Sequence, residues 1–293
     1  MLRRLNRTCH RIPRFIPMLM LLLAACQSHT ISIQTTAPKA TASVTIPNTP
    51  LPTPSASPTP TSSPTPLPTL FLLPAIDPNA TLAPCDKRRP AADDLLAEVT
   101  ASYGLDPNYV PPDLVRLGDY LPGRVTLPDM LLRQPAAAAL GKLIKAMLAD
   151  GLAPTILSSY RSYVEQATAH QRWVVDDPAH ADQISALPGH SEHQLGSVVD
   201  FGSPEMPALT GSNTDKFSPL FAGTPEGRWL IEHAHEYGFT MTSPEGAEKL
   251  TGLAYEPWHY RYVGVEMASY LKVSGLFLAQ YLLMARPVLP CLP

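Results

Sequence analysis

Charged side chains are scarce in this sequence, and positive charge is not in excess. Lysine, arginine, aspartate and glutamate make up 16% of the 293 residues, and the formal net charge at pH 7 is -3. Proteins that bind a nucleic-acid backbone carry clustered positive charge to match its phosphates. We therefore expect no nucleic-acid partner.

Cysteine is also rare, and two of the 4 cysteines lie in an N-terminal leader. Arginines up to Arg14 precede an uncharged apolar run, Met18 to Ala25, which is short for a membrane span but has the length of a signal-peptide core. The run ends in Leu-Ala-Ala-Cys at Cys26, which resembles the lipobox of bacterial lipoproteins. We predict a lipoprotein signal peptide over residues 1–26, with lipidation at Cys26. An ordinary cleaved signal or a retained anchor is the alternative.

Residues 27–84 lack the composition of a folded domain. They consist mainly of proline, threonine, serine and alanine, with almost no charge and few large apolar groups. Such a segment has little to bury and favours extended polyproline conformations. We predict a disordered tether that holds the following domain away from the membrane. The expected location is the cell envelope, anchored by lipid and facing outside the cytoplasm.

The two remaining cysteines, Cys85 and Cys291, lie at the ends of the predicted folded domain, residues 85–293. Chain termini of domains are often close together, and an exported protein reaches a compartment that permits disulfides. We predict that Cys85 and Cys291 pair; two free thiols at frayed ends are the alternative.

Hydrophobic spacing in this domain predicts both helices and short strands. Helical spacing covers Pro90–Tyr103, Gln134–Ala149 and the long apolar segment Val263–Leu283, whereas Gly196–Phe201 alternates as a strand does. Because helices and strands do not alternate regularly, we predict an α+β fold rather than a doubly wound sheet.

Two segments carry the residue types of a catalytic metal site. Ser191 to Asp200 contributes His193 and Asp200, and the later Glu-Pro-Trp-His segment contributes Glu256 and His259. A catalytic zinc needs three ligands, an open position for water and a general base, and this set contains all of the protein groups. His193 precedes the predicted strand, so it can meet Asp200 only if the intervening loop folds back.

Other readings of these residues remain open. His190 could chelate together with His193, although Pro188-Gly189 disfavours a helix there, and Glu256 could support a ligand histidine instead of serving as a base. The sequence has no His-Glu-x-x-His motif, so a thermolysin-like arrangement is absent.

A single arginine suggests the type of substrate. Arg161 stands in Ser158-Ser159-Tyr160-Arg161-Ser162-Tyr163, which is otherwise apolar and hydroxylated. Arginine suits bidentate capture of a carboxylate, such as the free end of a peptide. Ser158 and Tyr160 could line the same pocket. A structural ion pair is the alternative role for Arg161.

The motifs S-E-H-x-x-G-x-x-x-D, E-x-W-H and the upstream S-x-Y-R-S together resemble the VanY-like D-alanyl-D-alanine carboxypeptidases. These are zinc peptidases related to VanX dipeptidases and L,D-carboxypeptidases. The resemblance implies zinc ligands at His193, Asp200 and His259, and a catalytic base at Glu256. It also implies a small central antiparallel sheet flanked by helices.

The expected activity is removal of the C-terminal D-Ala from peptidoglycan stem peptides, with Zn²⁺ as cofactor and the membrane as a second partner through the N-terminal lipid. An L,D-carboxypeptidase, a D,D-dipeptidase or a peptidoglycan endopeptidase could use the same machinery. A non-catalytic wall-binding lipoprotein could keep the fold, but the intact ligand set and Glu256 argue against it.

Overall fold

The structure is a computed structural model that describes residues 90–122, 125–127, 129–213 and 217–286. The strands are β1 (Leu114–Arg116), β2 (Leu131–Arg133), β3 (Thr155–Ser158), β4 (Val198–Gly202), β5 (Phe239–Met241) and β6 (His259–Tyr262). The helices are α1 (Gln134–Ala149), α2 (Tyr163–Asp176), α3 (Ala181–Ile184), α4 (Met206–Thr210), α5 (Pro225–His233), α6 (Glu248–Thr251), α7 (Val265–Ser274) and α8 (Leu278–Ala285).

Four short strands form the central sheet in the order β3-β4-β6-β5, and every neighbouring pair is antiparallel. Strands β1 and β2 form a separate antiparallel pair. The predicted α+β fold with a small central antiparallel sheet is confirmed.

The main core lies between α1 and the sheet. Helix α1 places Leu140, Leu143 and Ile144 in one fully buried cluster with Phe201 of β4 and Tyr260 of β6. The periodicity of this helix was predicted, and its spacing of three and four residues explains why one stripe is buried. Burial of such side chains stabilises the fold by about 1.5–3 kcal/mol each.

Two predicted helices differ from the structure. Residues 90–103 form turns and irregular backbone, because the carbonyls of Leu95 and Ala97 accept hydrogen bonds from Arg261 rather than from later amides of a helix. The predicted helix over residues 263–283 is divided into α7 and α8. The division falls at Gly275, whose φ of 70° ends α7 in the left-handed conformation.

The predictions for residues 1–89 and for Cys291 lie outside the described part of the chain. They concern the signal peptide, the tether, Cys26 and the pairing of Cys85 with Cys291, and they stay predictions. Within the described residues, no helix combines the length and apolarity that crossing a bilayer requires.

Candidate metal centre

The loop before β4 folds back on itself, as a shared metal site requires. Ser191 caps a short 3-10 helix, Glu192–Leu195, by accepting a hydrogen bond from the backbone N–H of His193. Gly196 ends that helix with a φ of 65°, a conformation that costs other residues about 1–2 kcal/mol. A side chain is also excluded there, because a Cβ would lie 2.8 Å from the Leu114 side chain. The turn at Gly196 therefore brings His193 back towards the end of β4.

The sheet register brings the other two predicted ligands together. In the antiparallel pairing of β4 with β6, Asp200 lies directly opposite His259. Residues directly opposite each other in such a pair have Cβ atoms about 4.5–5.5 Å apart and point to the same face. Their contact is therefore a consequence of the strand pairing, although the two residues are 59 positions apart in sequence.

The three side chains form one buried cluster. Asp200 bridges the two imidazoles: its Oδ2 lies 3.2 Å from His193 Nε2, and its Oδ1 lies 3.1 Å from His259 Nδ1. One ligand atom from each residue lies within 4.8 Å of the other two. Ligands of a tetrahedral zinc, each about 2.1 Å from the metal, would be about 3.4 Å apart. The spacing of this cluster therefore fits a zinc ion.

The second ring nitrogen of each imidazole also has a hydrogen-bond partner. His193 Nδ1 lies 2.6 Å from the carbonyl oxygen of Ser159. A carbonyl only accepts, so Nδ1 carries the proton and Nε2 keeps its lone pair for a metal. His259 Nε2 lies 3.1 Å from Glu192 Oε2, which leaves Nδ1 facing Asp200. The ring orientations thus present one nitrogen each to the metal position.

The local electrostatics favour a cation between these side chains. Burial would raise the pKa of Asp200, but the two imidazoles outweigh burial and lower it. Burial also disfavours a charged His259, yet the hydrogen bonds that its ring donates to Asp200 and Glu192 prevail and raise its pKa to about 10. Burial and then the positive charge of Arg161 lower the pKa of His193. Without a metal, the proton on His259 supplies the positive charge beside the carboxylates of Asp200 and Glu192. A divalent cation at the cluster would supply that charge instead.

Glu256 lies next to the cluster but outside the ligand set. Its Oε2 is 3.9 Å from His259 Nδ1, and its backbone is held by a 3.0 Å hydrogen bond from its N–H to the carbonyl of Ser243. Burial raises the pKa of Glu256 to about 7. A carboxylate with a pKa near the working pH is well matched to general-base catalysis.

Arg161 follows β3 and faces the same site. Its backbone N–H donates to the carbonyl of His193 at 3.3 Å, and the next residue, Ser162, begins α2 through a capping box with Glu165. The Nε atom of Arg161 is buried and has no hydrogen-bond partner among the described residues. Burial lowers the pKa of Arg161, while Asp200 and Glu256 raise it. A buried N–H donor without an acceptor is costly unless a ligand supplies one, and an anion would suit this half-buried cation.

A cavity of about 320 Å³ joins these groups. Its lining includes Arg161, Glu256 and all three candidate ligands, and an apolar wall contains Trp173 and Ile184. The volume lies at the lower end of the range for small-ligand sites, which suits a small terminal residue.

Ser158, Tyr160 and His190 belong neither to the lining of this cavity nor to the metal cluster, although Ser158 pairs with Asp200 in the sheet. Ser158 and Tyr160 do not line this cavity, and their role in substrate binding stays a prediction. His190 is not a member of the described metal cluster, and its Nδ1 lies 2.8 Å from the carbonyl of Thr100.

Comparison with known proteins identifies the family. The model of the VanY family, described as D-alanyl-D-alanine carboxypeptidase, matches residues 129–265. YodJ of Bacillus subtilis (strain 168) is 33% identical over 190 residues, which cover 64% of this chain and 67% of YodJ. This chain belongs to the VanY family. It spans about half the length of two Enterococcus D-alanyl-D-alanine carboxypeptidases that it also matches, 51% of one and 45% of the other.

Solved structures agree with membership of the VanY family. A structure of the LD-carboxypeptidase LdcB superposes with a TM-score of 0.55 at 32% identity, covering 65% of this chain and 86% of that chain. A VanY D,D-pentapeptidase in complex with Zn(II) has a TM-score of 0.51 at 27% identity, covering 66% of this chain and 99% of that chain. The recognition of this family from the sequence motifs is confirmed.

Glu192 and Arg261 are two site residues that the sequence interpretation missed. Glu192 stands inside the Ser-Glu-His motif, and Arg261 follows His259 by two positions on β6. Alternate residues of a strand share a face, so an arginine two positions from a ligand histidine points to the same side. The sequence signal that could have identified both residues is therefore an arginine two positions after His259, together with a glutamate next to His193.

Proposed function

We propose that this chain is a zinc-dependent peptidoglycan carboxypeptidase that removes the C-terminal D-Ala from stem peptides. The observation that carries the proposal is Arg161, a half-buried cation whose buried Nε lacks a partner among the described residues and which lines the same cavity as Glu256 and the three candidate ligands. A carboxylate binder beside a metal cluster suits an enzyme that acts at the end of a peptide. The VanY relative in complex with Zn(II) supports zinc as the metal.

Each residue of the site has a separate role in the proposed reaction. Arg161 binds the terminal carboxylate of the peptide and so orients the last peptide bond towards the cluster. His193, Asp200 and His259 would hold a zinc ion, which would supply a Lewis acid to polarise the scissile carbonyl and to lower the pKa of a water molecule. Glu256 accepts a proton from the attacking water and donates it to the nitrogen of the leaving D-Ala as the carbon–nitrogen bond breaks. The products are free D-Ala and a shortened peptide with a new terminal carboxylate.

The direct test is digestion of purified muropeptides with the full-length protein, followed by mass spectrometry. The proposal expects loss of one alanine from pentapeptide stems, no loss after zinc is removed with a chelator, and recovery when zinc is restored. Cleavage inside the stem or release of the D-Ala-D-Ala dipeptide would assign the site to an endopeptidase or a dipeptidase. No cleavage by a zinc-loaded protein would favour a wall-binding role.

A second candidate is an L,D-carboxypeptidase, because the similarity to LdcB is of the same order as the similarity to VanY. The two activities differ in the residue before the scissile bond, which is D-Ala in a pentapeptide and an L-diamino acid in a tetrapeptide. Both substrates end in a D-Ala carboxylate, so Arg161 serves either reaction. Relative kcat/KM values for a synthetic pentapeptide and the matching tetrapeptide would separate them.

We further propose that the enzyme works in the cell envelope, tethered through a lipid on Cys26. The support is the apolar leader that ends in a lipobox-like sequence and the Pro/Thr/Ser-rich residues 27–84. Labelling of cells with a clickable fatty acid should mark the wild-type protein but not Cys26→Ala. Equal labelling of the two proteins would contradict the lipoprotein assignment.

A further inference from the structure

Glu192 contacts three side chains through its two carboxylate oxygens. Its Oε1 accepts a 2.7 Å charge-assisted hydrogen bond from Arg261 Nη1. Its Oε2 lies 2.6 Å from Thr242 Oγ1, which donates to it, and 3.1 Å from His259 Nε2. Glu192 lines the same cavity as the candidate ligands but is not a member of the metal cluster, and it contacts the nitrogen of His259 that does not face Asp200. Glu192 therefore acts on the site through His259.

This contact restricts the ring of His259. With Nε2 bound to Glu192, Nδ1 faces Asp200 Oδ1 at 3.1 Å. A ring flip would remove the donor from Glu192 and turn Nδ1 away from the cluster. Metal-bound histidines commonly bind a carboxylate or carbonyl through the other nitrogen, which sets the tautomer and raises the basicity of the ligand. His193 uses the neutral carbonyl of Ser159 for this purpose, whereas His259 uses a charged carboxylate.

Arg261 in turn holds Glu192 in place. Its side chain is only 1% exposed, and its Nη2 donates to the carbonyls of Leu95 at 2.7 Å and Ala97 at 2.8 Å. These two carbonyls belong to the segment before β1, which lies outside residues 129–265 that match the family model. An ion pair between Glu98 and Arg286 also attaches that segment to the C-terminal end of α8.

We propose that Glu192 is a positioning residue that fixes His259 for zinc binding, with Thr242 and Arg261 fixing Glu192 in turn. This inference rests on the proposed zinc site and adds a role for residues that do not contact the metal. The carbonyls of Leu95 and Ala97 complete the support, so the segment before the family-matched region takes part in holding the metal centre.

The test compares Glu192→Gln with Glu226→Gln in the full-length protein. Glu226 is a matched control, since it too is bound through both oxygens, to Ser203 Oγ and to the backbone N–H of Ala153, and is somewhat more buried than Glu192, yet it lies outside the cavity. Competition with a chromophoric chelator measures the zinc dissociation constant of each variant. Glu192→Gln should weaken zinc binding by about 10- to 100-fold, the usual effect of losing such a support. Glu226→Gln should bind zinc as the wild type does.

A spectroscopic readout separates positioning from general destabilisation. Cobalt(II) in place of zinc gives visible bands that depend on the geometry of its ligands. These bands should change in Glu192→Gln and stay unchanged in Glu226→Gln, even if both variants melt at lower temperature. A purely structural role for Glu192 would lower the melting temperature and leave both the spectrum and the zinc affinity as in the wild type.

A milder variant covers the case in which Glu192→Gln does not fold, since that change leaves buried Arg261 without its charged partner. Thr242→Val keeps the shape of the side chain and removes only its hydrogen bond to Glu192. It should weaken zinc binding by about 2- to 10-fold, the scale of one hydrogen bond. Wild-type zinc affinity and cobalt spectrum in Thr242→Val and in any folded Glu192→Gln would overturn the inference. Failure of the wild type to bind zinc would instead refute the proposed function.

Discussion

Replacement of Arg161 by alanine is the sharpest test of substrate recognition. Arg161 lines the cavity with Glu256 and the candidate ligands, and its Nε is buried without a partner among the described residues. Asp200 and Glu256 lie near enough to raise its pKa, yet neither forms an ion pair with it within 4.0 Å among the described contacts. The guanidinium is therefore available to an external anion, and in a carboxypeptidase that anion is the substrate's terminal carboxylate.

The size of the expected effect follows from the burial of this charge pair once the substrate covers the half-buried Arg161. Truncating one partner of a buried, hydrogen-bonded charge pair costs about 2–5 kcal/mol. At about 1.36 kcal/mol for each factor of ten, kcat/KM should fall by about 30- to 5,000-fold in Arg161→Ala. Arg161→Lys keeps the charge but loses the planar pair of donors, so it should also be impaired. Arg172→Ala is the matched control, because Arg172 is an exposed arginine of α2 outside this cavity.

Two substrates make the assay specific to the carboxylate. A pentapeptide with a free terminal D-Ala should react far faster than its C-terminal amide with wild type and with Arg172→Ala. In Arg161→Ala this preference should shrink, while zinc content stays the same because Arg161 is not among the candidate ligands. A mutant that is slower but still discriminates as strongly as wild type would refute this assignment of Arg161.

Three further substitutions test separate parts of the site. His193→Ala should abolish zinc binding, whereas His190→Ala, whose side chain lies outside the ligand cluster, should retain it by metal analysis; equal loss in both would mean that the wrong histidine is assigned. Glu256→Gln should keep zinc and substrate binding but lower kcat by about 10²–10⁴-fold, and a rate close to wild type would give Glu256 a structural role. Gly196→Ala should destabilise the protein by about 1–3 kcal/mol more than Gly211→Ala in thermal unfolding, because both glycines have positive φ but only Gly196 has close neighbours; equal shifts would contradict that packing argument.

The candidate ligand set could be proposed from the sequence because its members stand in contiguous motifs. His193 and Asp200 are seven positions apart, and the family resemblance connected them with His259. Spacing alone left open how they meet. The structure supplies the two missing facts: Gly196 reverses the chain, and the register of β4 with β6 sets Asp200 opposite His259. Strand register depends on the whole sheet, so a local pattern does not predict it.

The support of His259 was harder to predict, because it combines residues from four distant parts of the chain. Glu192 precedes one ligand but binds the other, and Thr242 is separated from Glu192 by 50 positions. A hydrophilic residue in a strand can be exposed, paired or catalytic, and only the fold decides among these. Arg261 is fully buried, and a buried cation requires a carboxylate or carbonyls as partners. Its contact with Glu192 is informative for this reason.

The wrong prediction for residues 90–103 has the same origin. Leu95, Leu96 and Val99 do have helical spacing, and local propensity alone favours a helix there. A helix would use the carbonyls of Leu95 and Ala97 internally, whereas the structure gives both to Arg261, 166 and 164 positions later. Without them, the buried guanidinium would lose two acceptors, each worth about 1.5–3 kcal/mol when the donor is charged. A helix of one or two turns is marginally stable by itself, so forming it would stabilise the protein by less than these two hydrogen bonds do. The segment is therefore irregular because Arg261 takes its carbonyls. If Glu192 positions His259 as proposed, a change that restored helix there should weaken zinc binding through Arg261 and Glu192.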